Sequence, residues 1–199
     1  NKICVENNIV RCTKCRKDIN TWQTGWAEFL EKTADNIIVF SESSKKILSS
    51  VYPDAESKIK VIPHVVTWPE KKVKIEKHDG INIGVFGNIC TIKGAEIVDK
   101  MISLLPKGVN IIIIGEYSLP KPETSQFVCT GQYDIKSLPD IVKKHQIDIA
   151  FISSIVPETF SFTTSECMNM GLPVACFNIG APAERVSEYK QGLVISKII

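Results

Sequence analysis

The sequence lacks any apolar run long enough to cross a membrane. Its longest such stretch, 109–115 (VNIIIIG), has the length of a strand, whereas a membrane-spanning helix needs about 20 apolar residues. It also lacks a dominant charge, because 24 basic and 22 acidic residues are interspersed and give a net charge of +2. No basic stripe of the kind that binds nucleic acid is present, and repeats are absent. We therefore expect a globular protein whose partners are small molecules, not nucleic acid.

The opening residues, NKICVENN, lack the charged and then apolar pattern of a secretory leader. A leader that had already been cleaved would leave no trace in the sequence. The use of cysteine therefore provides a second indication of the compartment. The seven cysteines are an odd number, and four of them fall in or beside apolar segments, where reduced thiols are common. These four are Cys90, Cys129, Cys167 and Cys176. A reducing cytoplasm fits best.

The first 20 residues hold the other three cysteines, Cys4, Cys12 and Cys15. The last two form a Cys-x-x-Cys pair in a basic run, and close-spaced thiols of this kind can bind zinc. A tetrahedral site needs four ligands and no fourth cysteine is near, so free surface thiols or a chance disulfide are the alternatives, and we assign no metal site. Residues 21–33 then carry Trp22, Trp26, Phe29 and Leu30 at helical spacing, which predicts an amphipathic helix with its aromatics facing inward.

From residue 81 onward, apolar runs of strand length alternate with amphipathic helical segments. The runs 81–86, 109–115 and 147–154 are typical of buried strands. Segment 95–105 places its apolar residues on one helical face. Such alternation predicts an α/β fold with a parallel sheet covered by helices on both faces.

The stretch 157–185 is the part of the chain where chemistry is expected. Glu158 and Glu166 lie eight positions apart, separated by small hydroxyl residues and two aromatics. The hydroxyls mark a helix that begins near Thr163, just beyond the carboxyl end of strand 147–154. The free backbone N–H groups of such a helix point at the crevice where open α/β sheets bind ligands, and they favour an anion.

The two carboxylates narrow the identity of the ligand. They cannot hold a phosphate, because like charges repel, so the hydroxyl groups of a sugar or a ribose suit them better. A diphosphate would then be held by backbone amides and by a cation elsewhere. Together these requirements describe a nucleotide-sugar. The alternative is that Thr163 and Glu166 form only a capping box, in which the two side chains satisfy backbone donors reciprocally.

The motifs in this half of the chain resemble the donor site of retaining glycosyltransferases of the GT-B fold, family 4. The resemblance covers roughly residues 36 to 195, and the motifs are specific as a set. The matching parts are the pair Glu158 and Glu166, the strand entry 171–174 (GLPV), Gly180 with Glu184, the loop 85–94 (VFGNICTIKG) and the strand 111–116 (IIIIGE).

The resemblance implies a Rossmann-like half of a GT-B enzyme. Residues 1–35 would be a residual segment of the N-terminal acceptor domain, and 36–199 the nucleotide-sugar-binding domain. The full enzyme would transfer a sugar to a polysaccharide or glycolipid acceptor in a bacterium, with possible association at the inner face of the membrane. Because most of the acceptor domain is missing from this chain, we expect it to bind donor weakly and to transfer nothing alone.

The resemblance also implies roles for individual residues. Lys93 and Glu158 would be the catalytic groups, with Lys93 as the main cation because Asn88 stands where the family often has an arginine. The donor would be a UDP, GDP or dTDP sugar, and no cofactor or metal would be required. Independently of the resemblance, the loop 130–134 leaves a predicted strand toward the crevice, so Tyr133 or the backbone near Gln132 would lie against the nucleotide base. The alternative is that Tyr133 is an ordinary turn tyrosine. The expected donor-binding residues are Gly87, Asn88, Gly94, Gln132, Tyr133, Thr159, Phe160, Ser161, Thr163 and Glu166.

Two other functions fit the same fold. One is a non-catalytic nucleotide-binding or partner-docking module, for which the missing arginine at Asn88 is the argument. The other is a different enzyme, such as a GT-B phosphorylase or an epimerase, which would accept sugar phosphates.

Overall fold

The computed structural model describes residues 24–196. Its contacts divide the chain into two compact units, and the division falls between His64 and Val65. The predicted boundary after residue 35 divides the chain by function, into a segment of the acceptor domain and the nucleotide-sugar-binding domain. It stays a prediction. The three N-terminal cysteines lie outside the described residues, so the question of a zinc site there stays open. Among residues 24–196, no helix is long and apolar enough to cross a membrane.

The unit that ends at His64 is built on two parallel strands. Its core consists of four buried side chains, Leu30, Ile37, Ala55 and Ile59. Helix α1 begins where the Ser41 hydroxyl accepts a hydrogen bond from the backbone N–H of Ser44, the interaction that makes serine a preferred N-cap. In chain order, the elements are helical residues 24–27, the π-helix Glu28–Thr33, β1 (Ile37–Val39), α1 (Glu42–Val51), the 3-10 helix Pro53–Lys58 and β2 (Ile59–Val61).

The prediction that the aromatics of 21–33 face inward is wrong for the two that the structure describes. Trp26 and Phe29 are 45% and 50% exposed and pack edge to face against each other, while Leu30 is the buried residue of the π-helix. A π-helix has more residues per turn than the α-helix that the spacing assumed. Of the three described residues in the predicted apolar set, Leu30 alone reaches the core. Trp22 lies outside the described residues.

The second unit contains a six-stranded sheet in which every neighbouring pair is parallel. The strand order is β5-β4-β3-β6-β7-β8, which confirms the predicted parallel α/β fold. The elements are β3 (Ile81–Ile89), the 3-10 helix Thr91–Lys93, α2 (Ala95–Ile102), β4 (Val109–Tyr117), β5 (Phe127–Cys129), the 3-10 helix Ile135–Ser137, α3 (Leu138–Lys144), β6 (Ile149–Ile152), α4 (Phe162–Asn169), β7 (Val174–Phe177), α5 (Gly180–Glu188) and β8 (Gly192–Ile195).

Helices cover both faces of this sheet. Side chains of a strand alternate between faces, and β4 shows it: Ile111 and Ile113 are buried with α2, whereas Ile112 and Ile114 are buried with α3, α4 and α5. The α2 face also holds an apolar cavity of about 380 Å³, lined by residues of α2 and of the strands opposite. Cys167 and Cys176 are buried, Cys90 and Cys129 are half-buried, and all four are unpaired.

The connector 65–80, which leads into β3, is mostly exposed, but parts of it dock on the rest of the second unit. The backbone N–H of Val73 donates to the carbonyl of Met170 at 2.8 Å, and the Asn169 side chain donates to the carbonyl of Val66 at 3.0 Å. Val73 and Ile75 pack against the core that contains α4. The lysines and glutamates around these two apolar side chains are exposed.

Where the connector meets β3, His78 lies between two acceptors. Its Nδ1 is 3.1 Å from the carbonyl of Asp79 and its Nε2 is 3.1 Å from Oδ1 of Asp148. Only the doubly protonated ring can donate to both. The backbone hydrogen bond to Asp79, followed by the interactions with Asp148, raises the pKa of His78 above its usual value.

We therefore expect the contribution of His78 to the stability of the fold to be lost as pH rises from the unfolded pKa of this group through its raised folded pKa. A folded-state pKa above the unfolded value of about 6.5 gives a contribution that is complete below that value and is lost as pH rises through the folded pKa. The measurement is urea unfolding from pH 5.5 to 8.5 for the wild type and for His78→Gln. The difference between the two curves isolates His78 from His145, whose pKa burial lowers. A difference that does not change with pH would contradict the prediction.

Candidate functional site

The candidate site lies where the strand order of the sheet reverses direction. From β3 the chain builds outward through β4 to β5, then returns to the other edge of β3 and builds outward through β6 to β8. In open parallel sheets, the loops at the carboxyl ends of the two strands beside such a reversal enclose a crevice that binds ligands. Here these loops follow β3 and β6, and they carry Lys93 and Glu158.

Lys93 and Glu158 meet where these two loops come together, although 65 positions separate them. The Nζ of Lys93 is 2.7 Å from Oε1 of Glu158. The lysine side chain is 37% exposed and the glutamate 13%, so the cation faces the open side of the pair. The structure thus brings together the two residues predicted to be catalytic, while their roles stay predictions.

The loop that carries Lys93 is held close to the end of β6. Gly94 has φ = +80°, and a Cβ at this position would lie 2.1 Å from the carbonyl oxygen of Ser153. The Ser153 hydroxyl donates to the carbonyl of Lys93 at 2.6 Å. Only glycine combines this backbone angle with so close an approach, which explains the glycine at position 94.

The loop that carries Glu158 is held in a similar way by the start of α5. The backbone N–H of Ala181 donates to the carbonyl of Glu158 at 3.0 Å. A Cβ on Gly180 would lie 2.7 Å from Cα of Pro157 and 2.8 Å from the nitrogen of Glu158. The glycine of the motif therefore allows α5 to approach the backbone of the glutamate loop.

The segment after Glu158 enters helix α4 at Phe162, which agrees with the predicted start near Thr163. The helix begins at Phe162, with Ser161 as its N-cap at φ = +69°. The Thr164 hydroxyl donates to the Ser161 hydroxyl at 2.9 Å. Thr163 lies within the first turn, so it is not the N-cap, and the capping box of Thr163 and Glu166 is wrong. Thr159 is exposed, whereas Phe160 and Ser161 are buried.

Glu166 is half-buried on the second turn of α4, near Tyr133. Burial raises the pKa of Glu166. Burial, followed by the charge of Glu166, raises the pKa of Tyr133 to about 12. Tyr133 also packs against the core beneath α4, as a structural tyrosine would. No hydrogen bond or ion pair engages the Glu166 carboxylate within residues 24–196, which leaves its oxygens available to a ligand.

The remaining predicted residues lie at the end of β3 and in the loop after β5. The sequence placed Gly87 and Asn88 in a loop, but β3 continues to Ile89 because it stays in register with β4, with Asn88 opposite Glu116. The pairing of β3 with β6 ends at Val85. Residues 86–89 of β3 therefore pair with β4 alone. Gln132 donates to the Glu116 carboxylate at 3.1 Å, which joins the loop after β5 to this edge.

Sequence reasoning missed two residues here. The hydroxyl of Ser154, just after β6, is buried and makes no hydrogen bond within the part of the chain that the structure describes. The Arg185 guanidinium, on α5, contacts the segment before α4: Nη1 donates to the carbonyls of Phe160 and Ser161. A lone serine or arginine has no spacing pattern, so no sequence signal pointed to either. No cluster of His, Cys, Asp or Glu that could hold a metal ion occurs within residues 24–196.

The fold and the crevice define a Rossmann-like α/β domain of the kind found in the halves of GT-B enzymes. A family model described as glycosyl transferases group 1 matches residues 80–198, which is more than half of the chain. The chain therefore belongs to the glycosyl transferase group 1 family. No curated protein sequence matches it.

Solved structures of similar fold include several glycosyltransferases. HepE from Anabaena in complex with UDP has 16% identity and a TM-score of 0.71, covering 92% of this chain and 55% of its own. Sucrose-phosphate synthase from Thermosynechococcus elongatus has 17% identity and a TM-score of 0.70, with coverages of 96% and 53%. A glycosyltransferase from Rickettsia africae has 16% identity and a TM-score of 0.67, with coverages of 90% and 54%. The chain thus spans about half the length of these structures.

Proposed function

We propose that residues 36–199 bind the nucleotide-diphospho-sugar donor of a retaining family 4 glycosyltransferase. The observation that carries this proposal is the Lys93–Glu158 contact of 2.7 Å at the reversal of strand order. A cation and a carboxylate, from two loops that the fold brings together, then lie at the carboxyl edge of the sheet, and α4 begins four residues after the carboxylate. HepE structures containing UDP and UDP-glucose support a nucleotide-sugar as the ligand.

The chemistry follows from the charge that develops during transfer. The glycosidic bond breaks through an oxocarbenium-like state, and negative charge grows on the departing nucleoside diphosphate. Lys93 and the backbone N–H groups at the start of α4 would stabilise that charge, as preorganised donors do in other enzymes. Glu158 would accept hydrogen bonds from the donor sugar, and Glu166 from the ribose hydroxyls.

The ion pair resolves an electrostatic difficulty in this arrangement. A carboxylate beside a diphosphate is unfavourable, because like charges repel most strongly where little water screens them. Lys93 neutralises Glu158 and still faces the open side of the crevice. The glutamate can therefore contact a sugar hydroxyl without expelling the anionic part of the same ligand.

Calorimetric titration of the 199-residue chain tests donor binding. We expect heat of binding with at least one of UDP, GDP, dTDP or their sugars, and no transfer to an acceptor by this chain alone. Sugar phosphates are included as titrants, because binding of these in place of nucleotides would favour a phosphorylase or epimerase. Absence of binding to every nucleoside diphosphate would contradict the proposal.

Replacement of Glu166 by glutamine tests its proposed contact with the ribose. We expect the affinity for the bound nucleotide to fall about tenfold, the scale of one hydrogen bond to a charged group. Binding of the 2′,3′-dideoxy analogue should be unaffected, since it lacks the hydroxyls. Because burial raises the pKa of Glu166, wild-type affinity should decline on acidification at higher pH than an ordinary carboxylate would cause, and Glu166→Gln should remove that decline.

The matched control is Glu188→Gln, which changes an exposed glutamate outside the crevice. It should leave both affinities and the pH profile unchanged. Equal losses for the ribonucleotide and the dideoxy analogue would assign Glu166 to support of the fold instead.

One observation favours a second function, a nucleotide-binding or docking module without transfer activity. Asn88 is exposed at the end of β3, where the family often has an arginine, so Lys93 has less cationic help with the leaving diphosphate. Transfer from a nucleotide-sugar by a protein that joins this chain to an acceptor domain would exclude that function. Tight nucleotide binding without transfer in the same protein would favour it.

A further inference from the structure

Arg185 is the centre of a hydrogen-bonded cluster that the proposed mechanism does not use. Its Nη1 donates to two backbone carbonyls, those of Phe160 and Ser161, each at 3.1 Å. Its Nη2 donates to the hydroxyl of Ser165, and its Cζ lies 4.6 Å from the centre of the Phe160 ring. Every one of these contacts is made to the segment that leads into α4 or to its first turn.

The partners of this guanidinium are all neutral. Within residues 24–196 it forms no ion pair with a carboxylate, and burial lowers its pKa, although an arginine keeps its charge in proteins. Arg185 is half-buried, and a cation withdrawn from water is costly unless its hydrogen bonds are satisfied. The fork of Arg185 meets that need with two carbonyls and a hydroxyl, so the conformation of this segment and the placement of Arg185 depend on each other.

Because a peptide group is planar, the contacts that Arg185 makes to two carbonyls also determine where the N–H groups of those two peptides point. In a trans peptide, the C=O of one residue and the N–H of the next point in opposite directions. Arg185 attracts the carbonyls of Phe160 and Ser161, so the N–H groups of Ser161 and Phe162 are directed away from the guanidinium. Ser161 has φ = +69°, an angle that costs a residue with a side chain energy and that these contacts help to maintain.

We infer that Arg185 is a positioning residue that orients the backbone N–H groups of Ser161 and Phe162 toward the diphosphate of the donor. The inference rests on the proposed function, because it concerns the same crevice. Arg185 itself does not touch the ligand. Arg185 contacts the carbonyl oxygens of the two peptide groups, and the anion is bound by the N–H groups on their opposite side. The residue lies one position after Glu184 of the motif, on the helix whose start also holds the Glu158 loop.

The test compares ligands that differ only in their phosphates. The 199-residue wild type, Arg185→Lys and Ser165→Ala are titrated with the nucleoside diphosphate that the wild type binds best, and with the corresponding nucleoside. Lysine keeps the charge but lacks the fork that contacts several acceptors at once. We expect Arg185→Lys to bind the diphosphate about tenfold more weakly and the nucleoside within twofold of wild type. Ser165→Ala should show the same pattern with a smaller loss, about threefold.

The possible results separate this inference from the proposed function. If the wild type binds no nucleoside diphosphate, the proposed function fails and the inference fails with it. If the wild type binds but Arg185→Lys binds both ligands normally, or loses both equally, only the inference is overturned. Should Arg185→Lys not fold, Ser165→Ala decides: a loss confined to the diphosphate supports the positioning role, and its absence overturns it.

Discussion

Replacing Lys93 with methionine is expected to weaken nucleoside diphosphate binding by about 10- to 100-fold, the range for loss of a hydrogen bond between charged partners. Methionine keeps much of the length of the side chain and removes the charge. It also leaves the Glu158 carboxylate, only 13% exposed, without the cation that neutralises it. The ligand then loses an attraction and gains a repulsion, which is why this substitution has the largest expected effect on binding.

A double substitution separates these two contributions. Glu158→Gln removes the repulsion, so Lys93→Met with Glu158→Gln should bind the diphosphate better than Lys93→Met alone and worse than the wild type. Isothermal titration at two salt concentrations provides the measurement, because a direct attraction between Lys93 and phosphate weakens as salt increases. The control is Lys107→Met, an exposed lysine away from the crevice. Unchanged affinity in Lys93→Met, with the fold intact, would contradict a role for Lys93 in binding the diphosphate.

The meeting of Lys93 with Glu158 could be anticipated from the sequence because it depends on topology. Strands of a parallel sheet end at the same edge, and the chain returns to β3 after β5, so the loops after β3 and β6 become neighbours. The alternation of apolar runs and helical segments was enough to predict these elements. The close approach of backbone at the motif glycines 94 and 180 was not predicted, and it is visible only in the structure.

The other features of the site depend on interactions between distant segments, which local sequence patterns cannot predict. The predicted loop at Gly87 and Asn88 is strand because β4 continues alongside, and the length of a partner strand cannot be read from one segment. The capping box is absent because Ser161 adopts a left-handed conformation and is the N-cap in place of Thr163. The position of Arg185 beneath residues 160 and 161 needs the packing of α5 against α4, which no spacing in the sequence indicates.

Gly94→Ala is expected to lower the free energy of unfolding by about 3 kcal/mol, combining the cost of a side chain at positive φ with that of a forced contact. For a chain of this size, the melting temperature should fall by roughly 6–12 °C. The forced contact is with backbone, since the new Cβ would lie 2.1 Å from the carbonyl oxygen of Ser153, and backbone cannot rotate away as a flexible side chain can. The loop must therefore move, and Lys93 moves with it.

Gly108→Ala is the matched control, because it separates strain from collision. Gly108 has φ = +85°, close to the +80° of Gly94, but its nearest neighbour for a new Cβ is 3.9 Å away. It should therefore show the conformational cost alone, about 1–2 kcal/mol, with normal nucleotide affinity. Thermal unfolding and nucleotide titration of both variants are the measurements. Equal destabilisation would mean that the approach to Ser153 is relieved at no cost. A stable Gly94→Ala protein with normal affinity would mean that this approach does not hold Lys93 in the crevice.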